Sequence, residues 1–275
     1  MLLQRIITAI ILLPIALAGF FLLDGWAFAL FIGAVVTLAG WEWARLAGHD
    51  SQPARIAYAA LVALLIGGLY CLAPQYPLLA PALLVAAAFW WPLALLLVVG
   101  YPASAAFWRP RGAALVIGLL ILLPAWQGLV LLKQWPYANW LILAVMVLVW
   151  AADVGAYFAG KAFGRRKLAP KVSPGKSWEG FIGGLALSLA LVVGLGLWLG
   201  WENRLLLEAL LGAAVVVVFS VVGDLTESMF KRQGGIKDSS NLLPGHGGVF
   251  DRIDSLTAAI PLFTLLFWLS GRLTS

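Results

Sequence analysis

Apolar stretches of about twenty residues recur along the whole of this 275-residue chain, each long enough to cross the hydrocarbon core of a bilayer. A chain built this way is expected to fold as an all-α, polytopic transmembrane helical bundle, because a helix satisfies its backbone hydrogen bonds within one segment. Nine spans are predicted, at 5–23, 26–46, 55–73, 77–100, 112–132, 137–160, 178–200, 205–226 and 255–272. Pro81 and Pro92 fall in the fourth and are expected to break or kink it. Hydrophobic residues make up 63% of the chain and charged ones 11%, more apolar surface than a soluble domain can hide. Trp26, Trp135, Trp140, Trp178 and Trp201 stand at the ends of apolar runs, where amphipathic rings favour the headgroup layer. The first run has a charged start like a signal peptide but no small-x-small cleavage site, so it reads as a retained first helix. Cys71, the one cysteine, lies in an apolar stretch and reads as a small core residue.

Two segments between spans are long and polar, 161–177 and 227–254. They divide the chain into an N-terminal transmembrane region, 1–150, and a region at 151–275 where chemistry is expected. Lysine and arginine set the orientation. With the N-terminus cytoplasmic, 15 cations fall on the cytoplasmic side, most of them in the two polar segments. Only Lys133, Arg204 and Arg272, 3 in all, fall opposite. Both polar segments are therefore expected to be cytoplasmic, in a multi-pass protein of the cell inner membrane.

Against that frame the acidic residues stand out. Glu42, Asp153 and Asp224 lie within or at the edge of apolar runs, near the cytoplasmic ends of spans two, six and eight. Asp153 is about seven residues, or roughly 10 Å, from its predicted helix end. A carboxylate at that depth is costly and normally faces a cavity or a partner. For Glu42 an ion pair with Arg45, one turn on, competes evenly with function. Asp153 and Asp224 lead directly into the polar segments and read as functional.

The richest constellation follows Asp224. Asp224, Glu227 and Ser228 share one helical face. Lys231, Arg232 and Lys237 come next, and Gly234-Gly235 and Pro244-Gly245-His246-Gly247-Gly248 allow tight turns. Asp251 and Asp254 close the set at the start of the last span. Hard oxygen ligands, cationic donors and glycine backbone are what a polyphosphate substrate requires. Divalent cations on carboxylates offset its charge, Lys and Arg take its free oxygens, and backbone N–H groups point at phosphate. No Walker, GxGxxG or HExxH motif is present. A merely solvated loop explains the lysines and arginines but not two separated acidic pairs around a glycine-rich histidine segment.

From Ser228-Met-Phe-Lys231-Arg232, through Lys237-Asp238, to Pro244-Gly-His246-Gly247-Gly248-Val-Phe-Asp251-Arg252-Ile-Asp254, the chain resembles the phosphatidate cytidylyltransferases, or CDP-diacylglycerol synthases. A second stretch resembles the same family: Asp153-Val-Gly-Ala-Tyr157-Phe-Ala-Gly160-Lys161, then Ser173-Pro174-Gly-Lys176-Ser177-Trp-Glu179-Gly180. Relatives often carry Lys where Gly175 stands and Thr where Ser177 stands. In 1–150 the resemblance is confined to hydropathy and to Glu42 with its flanking tryptophans.

The resemblance implies a reaction in which CTP and phosphatidic acid give CDP-diacylglycerol and pyrophosphate, in phospholipid biosynthesis. It makes the carboxylates of Asp224 and Asp251 metal ligands; Mg2+ is the expected cation, with a second cation left open. Asp254, Asp153 and Glu227 become supporting groups. Lys231, Arg232, Lys237 and Lys176 would bind triphosphate or pyrophosphate. Ser173 and Ser228 would donate hydroxyl hydrogen bonds, and Gly247 and Gly248 would bring backbone to the nucleotide. For His246 a turn-stabilising role and a leaving-group contact weigh equally. Expected partners are CTP, phosphatidic acid and membrane lipids, with a homodimer admitted and nucleic acid not expected. Two rivals stand. A CTP-dependent lipid kinase of the polyprenol or phytol type would share these needs but release CDP. A transporter would place its carboxylates near the midplane in related halves, which this sequence does not show.

Overall fold

The computed structural model describes residues 2–271 and is an all-α bundle. Its helices are α1 (Leu2–Phe21), α2 (Gly25–Leu46), α3 (Gln52–Leu72), α4 (Leu79–Val99), the short α5 (Ala105–Trp108), α6 (Arg111–Lys133), α7 (Ala138–Phe163), α8 (Trp178–Trp198), α9 (Asn203–Gln233) and α10 (Phe250–Leu269). Eight of these, α2–α4 and α6–α10, are long and apolar enough to cross a membrane among the described residues. These eight fall at the second to ninth predicted spans; at the first, α1 carries a shorter apolar stretch, Ile10–Phe21. Arg272, counted on the far side, lies outside the described residues, as does the side chain of Arg5.

Four departures from the sequence expectation have physical causes. Helix α4 runs unbroken through Pro92, and Pro81 sits in its first turn, where the missing N–H has no helical partner to lose. Helix α9 continues two turns past its predicted end, so Asp224 lies inside it and not at its terminus. The extension is amphipathic: Leu225, Met229 and Phe230 are buried, and Phe230 packs on Trp43 and Trp108. It stops where Gly235 takes a φ of 64°, with Gly235 N–H donating to Arg232 O and Ile236 N–H to Lys231 O. Helix α10 begins at Phe250, five residues early, which makes Asp251 and Asp254 helical. Finally, 161–177 is not plain loop. Strands β1 (Lys167–Ala169) and β2 (Ser173–Ser177) pair as an antiparallel hairpin between α7 and α8.

Close packing positions the second half. Between α7 and α8 the backbones touch through glycine. A Cβ on Gly155 would meet Gly183 O at 2.7 Å, and one on Gly180 would meet Ala156 O at 2.9 Å. A Cβ on Gly223 of α9 would meet Asp254 O of α10 at 2.6 Å, so these helices also approach to backbone contact. Helix α6 lies deep in the bundle and accepts the polar tips of its neighbours' aromatics. Trp43 Nε1 donates to Ala114 O (2.8 Å) and Tyr58 OH to Leu115 O (2.7 Å).

The two ends of the bundle are chemically distinct. At one, Lys133 Nζ donates to Phe20 O (2.9 Å) and Asn139 Oδ1 (2.6 Å) and pairs with Asp24 (3.2 Å). At the other lie the β-hairpin and the segment between α9 and α10. Thr8, near the start of α1, donates to Pro244 O of that segment (2.9 Å), so α1 begins at the same end. We therefore expect reporters fused after Lys176 and Arg232 to report the cytoplasm and one after Ser275 to report the opposite side. A cytoplasmic signal at Ser275 would mean the span count or its direction is wrong.

Candidate active site

A cavity of about 490 Å³ opens where α7, α9 and α10 converge. Six carboxylates line it: Asp153, Asp224, Glu227, Asp238, Asp251 and Asp254. Lys231 and Arg252 are the cations on its wall, and Val149, Trp150 and Leu256 give it an apolar side. The helical spacing of α9 explains the grouping. Asp224, Glu227, Ser228 and Lys231 recur every three or four residues, so they fall on one face, opposite the buried Leu225, Met229 and Phe230.

Lys231 is the hub. Its ammonium donates to Glu227 Oε2 and to Asp251 Oδ1, both at 2.8 Å, and so joins α9 to α10. The side chains are 15% exposed for Lys231, 1% for Glu227 and 4% for Asp251, so solvent screens this pair of bridges little. Asp251 is held further by Ser239 N–H (3.0 Å), Ser239 Oγ (2.9 Å) and Gly248 N–H (2.7 Å), which all donate to its Oδ2. The segment between α9 and α10 is therefore folded around one carboxylate. A Cβ on Gly247, where φ is 82°, would strike that same Oδ2.

A second lysine reaches Asp224, on the cavity wall, from the hairpin. Lys176 Nζ pairs with Asp224 Oδ2 at 2.6 Å, and Ser228 Oγ donates to Asp224 Oδ1 at 3.2 Å. Both groups of the Lys176–Asp224 pair remain more than a quarter exposed, so this pair is more open than the Lys231 bridges.

Arg232, Lys237, Ser173 and His246 lie outside the cavity lining. Arg232 Nε donates to Val172 O (3.1 Å), which ties α9 to the hairpin, and Arg232 does not line the cavity. Lys237 is exposed and also off the lining. Ser173 starts β2, half-buried. His246 donates its backbone N–H to Leu243 O (2.8 Å), and Leu243 N–H donates to Gly247 O (2.8 Å), so His246 sits in a closed turn. Its Nδ1 is buried with no hydrogen-bond partner. In the second motif Ser177 caps α8 by accepting from Gly180 N–H (3.1 Å), and the Glu179 carboxylate accepts from Arg165 and Arg166 N–H. Much of that motif thus builds the α7–hairpin–α8 corner that carries Lys176.

Glu42 is completely buried and makes no ion pair with Arg45. Its carboxylate accepts from Ser240 Oγ and from the N–H groups of Val249 (2.9 Å) and Phe250 (2.6 Å), while Arg45 Nη1 donates to Ser239 O (3.2 Å). Ser239 and Ser240 were not singled out from the sequence. Their only signal is polarity between two glycine turns, and burial of that pair is decided by the acids they meet.

The donor chemistry suits a hard divalent cation. Carboxylate oxygens outnumber the lining cations, and Glu227 Oε1 is buried with no hydrogen-bond partner. Among the described residues no three acidic or imidazole groups converge at ligand distance. Asp224 and Asp251 are each turned to a lysine, so a cation at either carboxylate competes with that ammonium.

Fold and site together define a class: polytopic helical membrane proteins that gather acids, lysines and glycine turns at one end of the bundle. The chain belongs to the cytidylyltransferase family, which matches it over residues 3–270. It is 69% identical over 271 residues to a phosphatidate cytidylyltransferase of Pseudomonas aeruginosa, covering 98% of each chain. It is 43% identical over 289 residues to one from Haemophilus influenzae, with 98% of this chain and 99% of that one covered. A Brucella suis phosphatidate cytidylyltransferase is 36% identical over 272 residues, 95% of this chain and 91% of the other.

The hub is testable as a stabilising element. Lys231→Met leaves Glu227 and Asp251 buried without their cation, and should cost about 3 kcal/mol of stability. Glu227→Gln added to it should recover part of that loss, read from thermal unfolding in detergent. Equal unfolding temperatures for wild type and Lys231→Met would show that the bridges hold nothing together.

Proposed function

We propose that this protein transfers CMP from CTP to phosphatidic acid, yielding CDP-diacylglycerol and pyrophosphate. The observation that carries the reading is the unbroken signature over 228–254: in the fold it wraps one acidic cavity, in a chain that aligns end to end with phosphatidate cytidylyltransferases. In the reaction a phosphate oxygen of the lipid bonds to the α-phosphorus of CTP, and the bond from that phosphorus to the bridging α–β oxygen breaks. The nucleophile is already ionised at neutral pH, so no strong general base is needed. Catalysis then consists of positioning and charge neutralisation.

The residues divide that work. Lys176, the cation of a partly exposed pair, suits the phosphates of the incoming nucleotide. Lys231 fixes the acidic wall and keeps α9 and α10 in register. Val149, Trp150 and Leu256 give the lipid an apolar surface beside the charged one. Asp224 and Asp251 would hold Mg2+, and Asp254, Glu227 and Asp153, which line the same cavity, would support it or a second cation. When bound, the metal would neutralise phosphate charge and polarise the phosphorus under attack. Arg165, Arg166 and Lys167 would set topology and attract anionic headgroups at the cytoplasmic face of the inner membrane.

Two measurements test this. Purified, folded Asp224→Asn and Asp251→Asn should lose on the order of 10²-fold or more in turnover and respond differently to Mg2+, since an amide cannot supply the same charge. The released product should be pyrophosphate; CDP would instead identify a lipid kinase. Near-normal turnover of Asp251→Asn with an unchanged Mg2+ requirement would remove it from the metal site. Separately, Lys176→Ala should raise the KM for CTP much more than Arg166→Ala does. Equal, small effects at both positions would make the hairpin a topology signal only.

A further inference from the structure

Glu42 lies in the N-terminal half, 207 residues before Val249, and outside the signature that defines the cavity. It is fully buried, and no cation of the described residues pairs with it; Ser240 and Val249 of the segment between α9 and α10 and Phe250 of α10 satisfy it. Two of these, Val249 and Phe250 N–H, belong to the four N–H groups that the start of a helix leaves unpaired. Helix α10 has no side-chain cap of its own, so the cap comes from α2. A carboxylate there is also favoured by the positive end of the helix dipole.

The geometry goes beyond capping. Asp251 grips Ser239 and Gly248, and Glu42 grips the adjoining Ser240, Val249 and Phe250. The two carboxylates thus interleave along the same two stretches of backbone, one from α2 and one from α10. No side chain fits between them: a Cβ on Gly248 would collide with both Ser239 Oγ and the Glu42 carboxylate. Trp43, the next residue on α2, wedges between Phe230 of α9 and Phe250 of α10 at centroid distances of 4.7 Å and 5.2 Å. The end of α2 therefore sets how α10 sits against α9, and so where Asp251 meets the Lys231 ammonium.

We propose that Glu42 is a positioning residue for the transfer reaction, holding residues 239–250 and the first turn of α10 so that Asp251 and Lys231 stand at the working distance. The proposal rests on the phosphatidate cytidylyltransferase reading for its kinetic arm. An amide at position 42 keeps one accepting oxygen and turns its NH2 toward a donor, so Glu42→Gln should loosen the segment without emptying the site. Steady-state kinetics on purified, folded protein, normalised to folded molecules, should show kcat falling 10-fold to on the order of 10²-fold in Glu42→Gln. The KM for phosphatidic acid should stay within about 2-fold, since the lipid surface is untouched. Glu42→Asp keeps the charge and should recover part of kcat. Hydrogen–deuterium exchange without substrate should rise across 239–250 in Glu42→Gln and leave α7–α8 unchanged. Should Glu42→Gln fail to fold, Ser240→Ala removes one of the three bonds and should give a smaller change in both readouts.

Wild-type kcat per folded molecule in Glu42→Gln would overturn the proposal, as would unchanged exchange of 239–250. Wild-type protein that released no pyrophosphate would defeat the transfer reading, whereas the exchange measurement would still decide the clamp.

Discussion

A lysine held between two buried carboxylates is the interaction on which the working end of this bundle depends. Within a membrane-spanning bundle an unpaired charge costs several kcal/mol. Six acids around one cavity would be untenable without compensation. Lys231 compensates Glu227 and Asp251 at once and, because these stand on different helices, fixes α9 to α10. Backbone N–H groups of Ser239 and Gly248 also donate to Asp251, and the intervening segment wraps around that carboxylate. The same electrostatic requirement that makes the site expensive thus folds the loop that closes it.

The scaffold around this hub works by close approach. Glycines at 155, 180, 183 and 184 let α7 and α8 touch backbone to backbone, and the hairpin between them delivers Lys176 to Asp224. Several signature residues are therefore architecture. Ser177 caps a helix, Glu179 holds the backbone of the Arg165–Arg166 turn, and Arg232 anchors the hairpin. A motif dense in polar residues need not be dense in substrate contacts. Some of its members position the elements that carry the others.

This arrangement suits a transfer in which the protein contributes no covalent chemistry. The nucleophile and the leaving group are both phosphates, so rigid placement of charge is what the protein can supply. Two faces serve that end. The Lys176–Asp224 pair is partly open and can exchange partners with an incoming anion, while the Lys231 bridges are buried and hold shape. An apolar wall of Val149, Trp150 and Leu256 lies beside the acids of the same cavity.

The sequence by itself determined the class of fold, because runs of about twenty apolar residues have one stable state in lipid, and it determined the family, because the signature's spacing is intact over 228–254. It also marked every carboxylate of the cavity except Asp238 as a candidate, from acids lying at the margins of apolar runs. Local physics set the limits of that reading. The end of α9 and the start of α10 lie beyond what composition shows, because polar residues mark water, whereas Leu225, Met229 and Phe230 are buried and Phe230 packs on Trp43 and Trp108. Only the tertiary structure decided partners. That Lys231 bridges Glu227 and Asp251, that Arg232 faces the hairpin, and that Glu42 caps a helix 207 residues away are choices among many cations and donors of equal chemical merit. A sequence states which groups need partners. Which ones meet is fixed by helix packing, since charge and hydrogen bonding are satisfied by whatever donor the packed backbone brings within about 3 Å.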